Sequence, residues 1–250
     1  MRTVTGCPSI NHDFKLSHPF TILASGGSGM GKVSWSYWSI IKILQTTFIE
    51  RAIEENKLSF RPRKIICCYP GELDKPPNNV SFLFICSKLT YYKWDIKFPN
   101  YDVEYIPDIP MQPEFWQNLK DCLVVIDDLW KLAANSTVIG NVFKVYARKV
   151  KFSVYITSQF FFEKASESSV IRNNCDHFLL FENYSNQKIN KSIVERLDLV
   201  RQYKEAAQYA YAKPYGYVLI TLSRQINRAF AVCTNFFCED PKNPYIQFFQ

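Results

Sequence analysis

The sequence predicts an α/β fold: a mostly parallel sheet with helices on both faces and an antiparallel hairpin at its C-terminal edge. Strand-like and helix-like segments alternate along most of the 250 residues, the pattern that generates parallel strands joined by crossover helices. The run Cys122-Leu123-Val124-Val125-Ile126 is continuously apolar, as expected of a parallel strand buried on both faces. Near the C-terminus, Tyr215-Gly216-Tyr217-Val218-Leu219-Ile220-Thr221 and Ala229-Phe230-Ala231-Val232 are two neighbouring β-rich runs, which predicts the hairpin.

Taken in order, Phe20-Thr21-Ile22-Leu23-Ala24 is a short apolar run within a strand predicted over 20–25. Helix-like apolar spacing follows over 35–48, within a helical region predicted over 33–57 with an interruption. Strands are predicted at 64–69 and 80–86, a helix at 112–120, and the apolar strand at 122–127. A helix over 130–149 leads to the β-rich run Phe152-Ser153-Val154-Tyr155-Ile156-Thr157, within a strand over 152–158. A helix over 164–172, a strand over 176–182, a helix over 187–210 and the hairpin near 215–234 complete the order. With 47% apolar residues the chain can bury one sizeable core. The Pro-bearing stretches 70–79 and 99–113 are short and aromatic, so they read as surface connections and not as disordered linkers. The expected organisation is an N-terminal arm over 1–18, one domain over 19–235 and an aromatic C-terminal tail over 236–250.

Between the first strand and the first helix stands Gly26-Gly27-Ser28-Gly29-Met30-Gly31-Lys32. A glycine loop set between a strand and a helix N-terminus aims successive backbone N–H groups at one spot, where phosphate can sit. The spacing is that of a P-loop, whose lysine, here Lys32, reaches the β- and γ-phosphates of ATP. The position that normally offers Ser or Thr to Mg²⁺ is Val33, and the nearest hydroxyl is Ser34. The nucleotide-binding set is therefore 26–34, with Met30, Val33 and Ser34 included.

The apolar strand ends in Asp127-Asp128, and α/β sheets place their ligands at the carboxyl ends of parallel strands. Asp127 there would hold Mg²⁺ directly or through water, and Asp128 is placed to polarise an attacking water. The competing reading is a helix N-cap after a core strand, since Asp caps well. The next strand delivers Gln159 at its end, where a carboxamide can hydrogen-bond the γ-phosphate or orient water. It can equally be an ordinary loop residue.

The net charge of +7 suggests an anionic partner beyond ATP. Lys144, Arg148, Lys149 and Lys151 form one basic run without an acid, and Arg61, Arg63 and Lys64 another. Each can track a phosphate backbone or be a solvated face. The first run precedes the Gln159 strand, so it is expected near the catalytic edge of the sheet. The eight Cys contain no C-x-x-C pair, and Cys67, Cys68, Cys86 and Cys122 lie in or beside strand-like runs, as buried thiols do. There is no apolar run near membrane-spanning length and no N-terminal signal pattern, so a soluble, intracellular protein without a membrane partner is expected.

These residues together resemble the FtsK/HerA superfamily of DNA-pumping ATPases, within it the genome-packaging ATPases of DNA viruses and polinton-like elements, with their RecA/ASCE-like sheet. The resemblance runs over about 19–232 and rests on the glycine loop, the Lys64-Ile65-Ile66-Cys67-Cys68-Tyr69 strand, Leu123 to Leu129, Arg148-Lys149 through Thr157-Ser158-Gln159, Ile171-Arg172-Asn173-Asn174-Cys175-Asp176 and Lys213-Pro214-Tyr215-Gly216-Tyr217. It implies a homo-oligomeric ring that uses ATP and Mg²⁺ to thread double-stranded DNA into a capsid through a capsid or portal component. It also implies an Arg reaching the neighbouring subunit's nucleotide, with Arg172 first and Arg148 second by position. Lys144, Lys149 and Lys151 would contact DNA. The Val33 departure keeps another class open, a nucleotide-binding scaffold with impaired hydrolysis. A P-loop small-molecule kinase is disfavoured by the paired Asp after a β-run.

Overall fold

The computed structural model describes residues 4–5, 15–26, 48–49, 51–53, 55–69, 102–127, 129–158, 165–182, 194–195, 198–212, 216–222, 230–237 and 246–249. Residues 27–34, Asp128, Gln159, the strand predicted over 80–86 and most of the helix predicted over 33–57 lie outside the described residues.

The strands are β1 (Val4–Thr5), β2 (Thr21–Ser25), β3 (Lys64–Tyr69), β4 (Asp102–Pro107), β5 (Cys122–Ile126), β6 (Ser153–Ser158), β7 (His177–Phe181), β8 (Tyr217–Thr221), β9 (Val232–Thr234) and β10 (Gln247–Phe248). Among the described residues they form one 10-stranded sheet in the order β1-β10-β9-β8-β7-β2-β6-β5-β3-β4. From β4 across to β7 all neighbours are parallel. From β7 to β1 they are antiparallel. This is the mostly parallel α/β sheet with an antiparallel C-terminal edge that the sequence predicts for a P-loop nucleotidase.

β2, β5, β6, β7 and β8 are buried along their whole length, so both faces are covered and the strands need no polar alternation. Alternate residues enter two separate cores. On one face Leu23, Val124, Ile126, Val154, Ile156 and Leu180 pack with Trp116, Phe143 and Phe152 from the helical layer. On the other, Ala24, Leu123, Val125, Tyr155 and Leu179 pack with Phe48, Ile49, Ala52 and Ile53, and with Phe236, Phe237 and Phe248. Residues 48–49 and 51–53 are helical, so helices lie on both faces.

Among the described residues the helical layer differs from expectation in two places. The helix predicted over 187–210 is interrupted at 198–199, where Asp198 has φ 54°, and resumes as Val200–Tyr211. The predicted helix over 130–149 is three pieces: Trp130–Ala134, Thr137–Asn141 and a wider, π-wound Val142–Lys151. Ser136 causes the first break, because its hydroxyl accepts the Ile139 N–H at 3.3 Å and caps a new helix. The last piece closes with Phe152 N–H donating to the Ala147 carbonyl at 3.0 Å. Helices Pro113–Gln117, Ser168–Asn173 and Val200–Tyr211 complete the described layer. The first buries Trp116 completely, its indole N–H donating to the Pro110 carbonyl at 2.8 Å. A Cβ at Gly216 would run into the Ala210 carbonyl, so only glycine lets β8 start this close to the Val200–Tyr211 helix.

Two expectations about the connections are corrected. The stretch 99–113 is not merely a surface connection, since β4 lies within it and pairs in parallel with β3 from Lys64↔Asp102 to Tyr69↔Pro107. The aromatic segment after 235 is not a tail apart from the domain either. Phe236, Phe237, Ile246, Phe248 and Phe249 are buried, and β10 joins β9 to β1, which draws the N-terminal arm into the same sheet. Leu16 also bridges to Leu58.

Cys67, Cys68, Cys122, Cys175 and Cys233 are buried thiols outside disulfides. Burial pushes the Cys68 and Cys233 thiols up to about 12, which leaves them protonated and unreactive. Among the described residues no helix is long and apolar enough to cross a membrane.

His177, at the start of β7, is buried with Nδ1 3.1 Å from the Thr221 hydroxyl. Burial lowers its pKa from 6.5 to about 4, against a smaller upward pull from Asp176. Burial also lowers that of His18. Because the folded value lies below the unfolded one, the unfolded chain takes up the extra proton first as pH falls. Stability is therefore full above about pH 6.5 and declines towards pH 4, by up to ~1.4 kcal/mol per pH unit for one such group. Urea midpoints should fall between pH 7 and pH 5, and His177→Gln should flatten that fall. An unchanged slope in His177→Gln would assign the acid sensitivity to other groups.

Candidate functional site

The carboxyl ends of β2, β6, β5 and β3 stand side by side. Gly26, the first residue of the glycine loop, follows β2 and its N–H donates to the Ser158 carbonyl at 3.4 Å. Asp127 follows β5 and its N–H donates to the Cys68 carbonyl at 3.1 Å, extending the ladder to β3 by one residue. Asp127 is 2% exposed. A carboxylate at that depth needs strong partners, and Thr157 Oγ1 donates to Oδ1 at 2.6 Å, the length of a charge-assisted bond.

Parallel register explains the pair. Ile126 is opposite Ile156, so 127 and 157 occupy the next row and point to the same face. That face is the one carrying Leu123, Val125, Tyr155 and Ala24, against which Phe48, Ile49, Ala52 and Ile53 pack. The glycine loop thus leaves the sheet at the edge where Asp127 sits, and the chain after it returns as helix onto the face that Asp127 points to. Gly26, the first residue of the loop, and the Asp127 carboxylate belong to one corner of the molecule.

Thr157 is not among the site residues that the sequence singles out. Its signal is a hydroxyl directly after the Val154-Tyr155-Ile156 run, one row beyond the Ile pair. Asp128 and Gln159 directly follow Asp127 and Ser158 in the chain but lie outside the described residues, as do Lys32, Val33 and Ser34.

Magnesium suits this donor chemistry. Mg²⁺ prefers hard oxygen ligands, keeps several waters, and is usually held by one or two carboxylates together with substrate phosphates. Asp127 is the carboxylate that the described residues offer at the corner, with its orientation set by Thr157.

The basic run lies elsewhere. The segment Val142–Lys151 carries the chain to the amino end of β6, so the expectation that this run lies near the catalytic edge is corrected. A helix that connects two parallel strands starts at the carboxyl edge and ends at the amino edge. Lys144, Lys149 and Lys151 are exposed. Arg148 Nη2 pairs with Asp176 Oδ1 at 2.8 Å and donates to the Asn174 carbonyl at 3.3 Å. Asp176 Oδ2 in turn accepts from the Thr21 N–H and the Thr21 hydroxyl, both at 2.9 Å. Arg148 is thereby tied to the amino edge of β2 and β7, across the sheet from Asp127 in its own subunit. Arg172 is partly buried in the last turn of the Ser168–Asn173 helix, which leads to the amino end of β7. Of the predicted site residues, the structure brings Gly26 and Asp127 to one corner and places Arg148, Arg172, Lys149 and Lys151 away from it.

No protein-family model and no curated protein matches the chain. Two solved structures of the genome packaging NTPase B204 from Sulfolobus turreted icosahedral virus 2 are similar to it. The complex with sulfate has 13% sequence identity and a TM-score of 0.44, over 82% of this chain and 92% of that one. The complex with AMPPCP has 12% identity and a TM-score of 0.42, over 83% of this chain and 94% of that one.

Proposed function

We propose that this chain is an ATP-driven double-stranded DNA translocase that packages a viral or viral-like genome into a capsid. The observation that carries the nucleotide part is the corner just described, where a buried, Thr-anchored carboxylate stands at the same carboxyl edge of the sheet as Gly26, the first residue of a P-loop sequence. The motor part rests on the motif order in the sequence.

In this reading the loop 26–34 binds the ATP phosphates and Lys32 neutralises the β- and γ-phosphates. Asp127, directly or through water, and Ser34 would hold Mg²⁺, which would supply charge neutralisation on the phosphate oxygens. Asp128 takes the proton of the attacking water as its oxygen bonds to the γ-phosphorus and the bond to the ADP oxygen breaks. Gln159 contacts the γ-phosphate and registers its loss. Arg172, or Arg148, reaches the nucleotide of the next subunit in a homo-oligomeric ring, so a position away from Asp127 in its own subunit is compatible with the role. Lys144, Lys149 and Lys151 contact DNA, and a capsid or portal component anchors the ring, inside the host cell or on the virion.

Phosphate release with and without double-stranded DNA tests this. DNA-stimulated turnover that disappears in Lys32→Ala is the expected result. DNA-independent turnover by a monomer would overturn the motor. A second reading is favoured by Val33 at the position that normally ligates Mg²⁺: a nucleotide-binding scaffold with impaired hydrolysis, which would bind ATP tightly and release no phosphate.

A further inference from the structure

The two basic clusters, far apart in sequence, meet on one edge of the sheet. The Arg63 N–H donates to the Asp121 carbonyl at 2.8 Å, and the Asp121 N–H donates to the Lys151 carbonyl at 2.7 Å. Arg63, Lys120 and Lys151 therefore stand at the amino ends of β3, β5 and β6, which are adjacent strands. Neighbouring strands are ~4.8 Å apart, so the backbones that carry the three cations fall within about 10 Å of one another along the edge. Lys149 adds a fourth exposed cation from the same turn. Among the described residues none of these four has an ion-pair partner, whereas Lys64 is held by Glu104 at 2.7 Å and Asp102 at 3.8 Å and does not belong to the surface. The acids at this edge are Asp121, half-exposed and 3.7 Å from His18 Nε2, and Asp102, which faces Lys64. Lys151 sits in the left-handed region with φ 66°, a conformation that favours glycine or asparagine, yet a lysine stands there.

We infer that Arg63, Lys120, Lys149 and Lys151 form one binding surface for the phosphate backbone of duplex DNA, on the edge opposite the nucleotide corner. The choice of duplex DNA over other polyanions rests on the translocase reading; the surface itself does not. Concentrated, unpaired positive charge along a line is the electrostatic complement of a phosphate backbone. Nucleotide and DNA would lie at opposite ends of β5 and β6, separated by the strand length of about 17–20 Å. DNA binding at this edge then needs no nucleotide, and these strands link the two sites.

Anisotropy of a labelled duplex, titrated with salt in the absence of nucleotide, tests the surface. Arg63→Ala/Lys120→Ala/Lys151→Asn is compared with Lys131→Ala/Arg201→Ala/Lys204→Ala, which removes the same formal charge from exposed sites elsewhere. The amino-edge variant should lower the slope of log affinity against log salt by about 0.9 for each phosphate no longer neutralised, ~2–3 in all, and weaken binding at least ~10-fold at 0.1 M salt. The control should keep the wild-type slope. Equal losses in both variants, a wild-type slope in the amino-edge variant, or tighter binding of single-stranded RNA than of duplex would each overturn the proposal. A wild type that binds DNA through this edge without hydrolysing ATP would keep the surface and remove the motor. A wild type that turns over ATP but does not bind duplex would remove the surface alone.

Discussion

Asp128→Asn is expected to bind ATP within a few-fold of wild type and to lose about two to four orders of magnitude in turnover, the usual contribution of a positioned general base. The adjacent substitution should behave differently. Asp127 is buried against Thr157 at 2.6 Å, and an Asn side chain can still accept that hydrogen bond, so Asp127→Asn should fold while losing the negative charge that holds a cation. Its turnover should fall too, but with a raised Mg²⁺ requirement and weaker Mg·ATP binding, which Asp128→Asn should not show. Thr157→Val separates positioning from chemistry: it keeps the shape, removes the hydroxyl donor, and should lower kcat about 10-fold with little change in KM. Phosphate release across a Mg²⁺ titration, with fluorescent-nucleotide binding alongside, reads all three. Wild-type turnover in Asp128→Asn would sink the assignment of the two roles.

Asp176→Ala should destabilise the fold by about 2–4 kcal/mol, a large share of the stability of a domain this size. Its carboxylate is the acceptor for the buried Thr21 N–H and hydroxyl and for Arg148. Removing it strands a buried backbone donor at the entry to β2, the strand that presents the glycine loop. Arg148→Ala should cost about 1 kcal/mol or less, because its side chain is 49% exposed and solvent screens the pair. Urea unfolding of both variants measures the difference. If Arg148 also serves a neighbouring active site, Arg148→Ala will lose turnover out of proportion to this small loss. A structural latch alone predicts that activity at saturating ATP tracks the folded fraction. A stability of Asp176→Ala equal to wild type would show that Thr21 finds another acceptor.

Much of the central sheet is legible in single segments. Cys122–Ile126 is continuously apolar and Ser153–Ser158 is β-rich, as parallel strands covered on both faces can be, and every residue of both is buried. β4 escapes sequence reading because, among the described residues, it is an edge strand paired with β3 alone. Asp102–Pro107 is half-exposed, carries two acids and lies between prolines, so it offers no apolar run to detect. Ser136 is readable as a cap, but apolar spacing continues through it and predicts one helix where the structure has a break. β1 and β10 have two residues each; a segment that short carries no periodicity, and its strand identity comes from the partners it finds.

The candidate site divides in the same way. The sequence by itself determined the chemistry on offer: a glycine loop after an apolar strand, carboxylates after another, and a surplus of basic residues, because residue types and local spacing are covalent facts. Only the tertiary structure decided which of these meet. Parallel register brought Thr157 onto Asp127, and helix packing put the chain after the loop on the same face. The direction of a crossover segment carried Lys149 and Lys151 to the far edge, where backbone hydrogen bonds through Asp121 joined them to Arg63. Such contacts depend on strand order and on which edge each connection reaches, and both are set by burying two apolar faces at once, a condition that no single stretch of sequence contains.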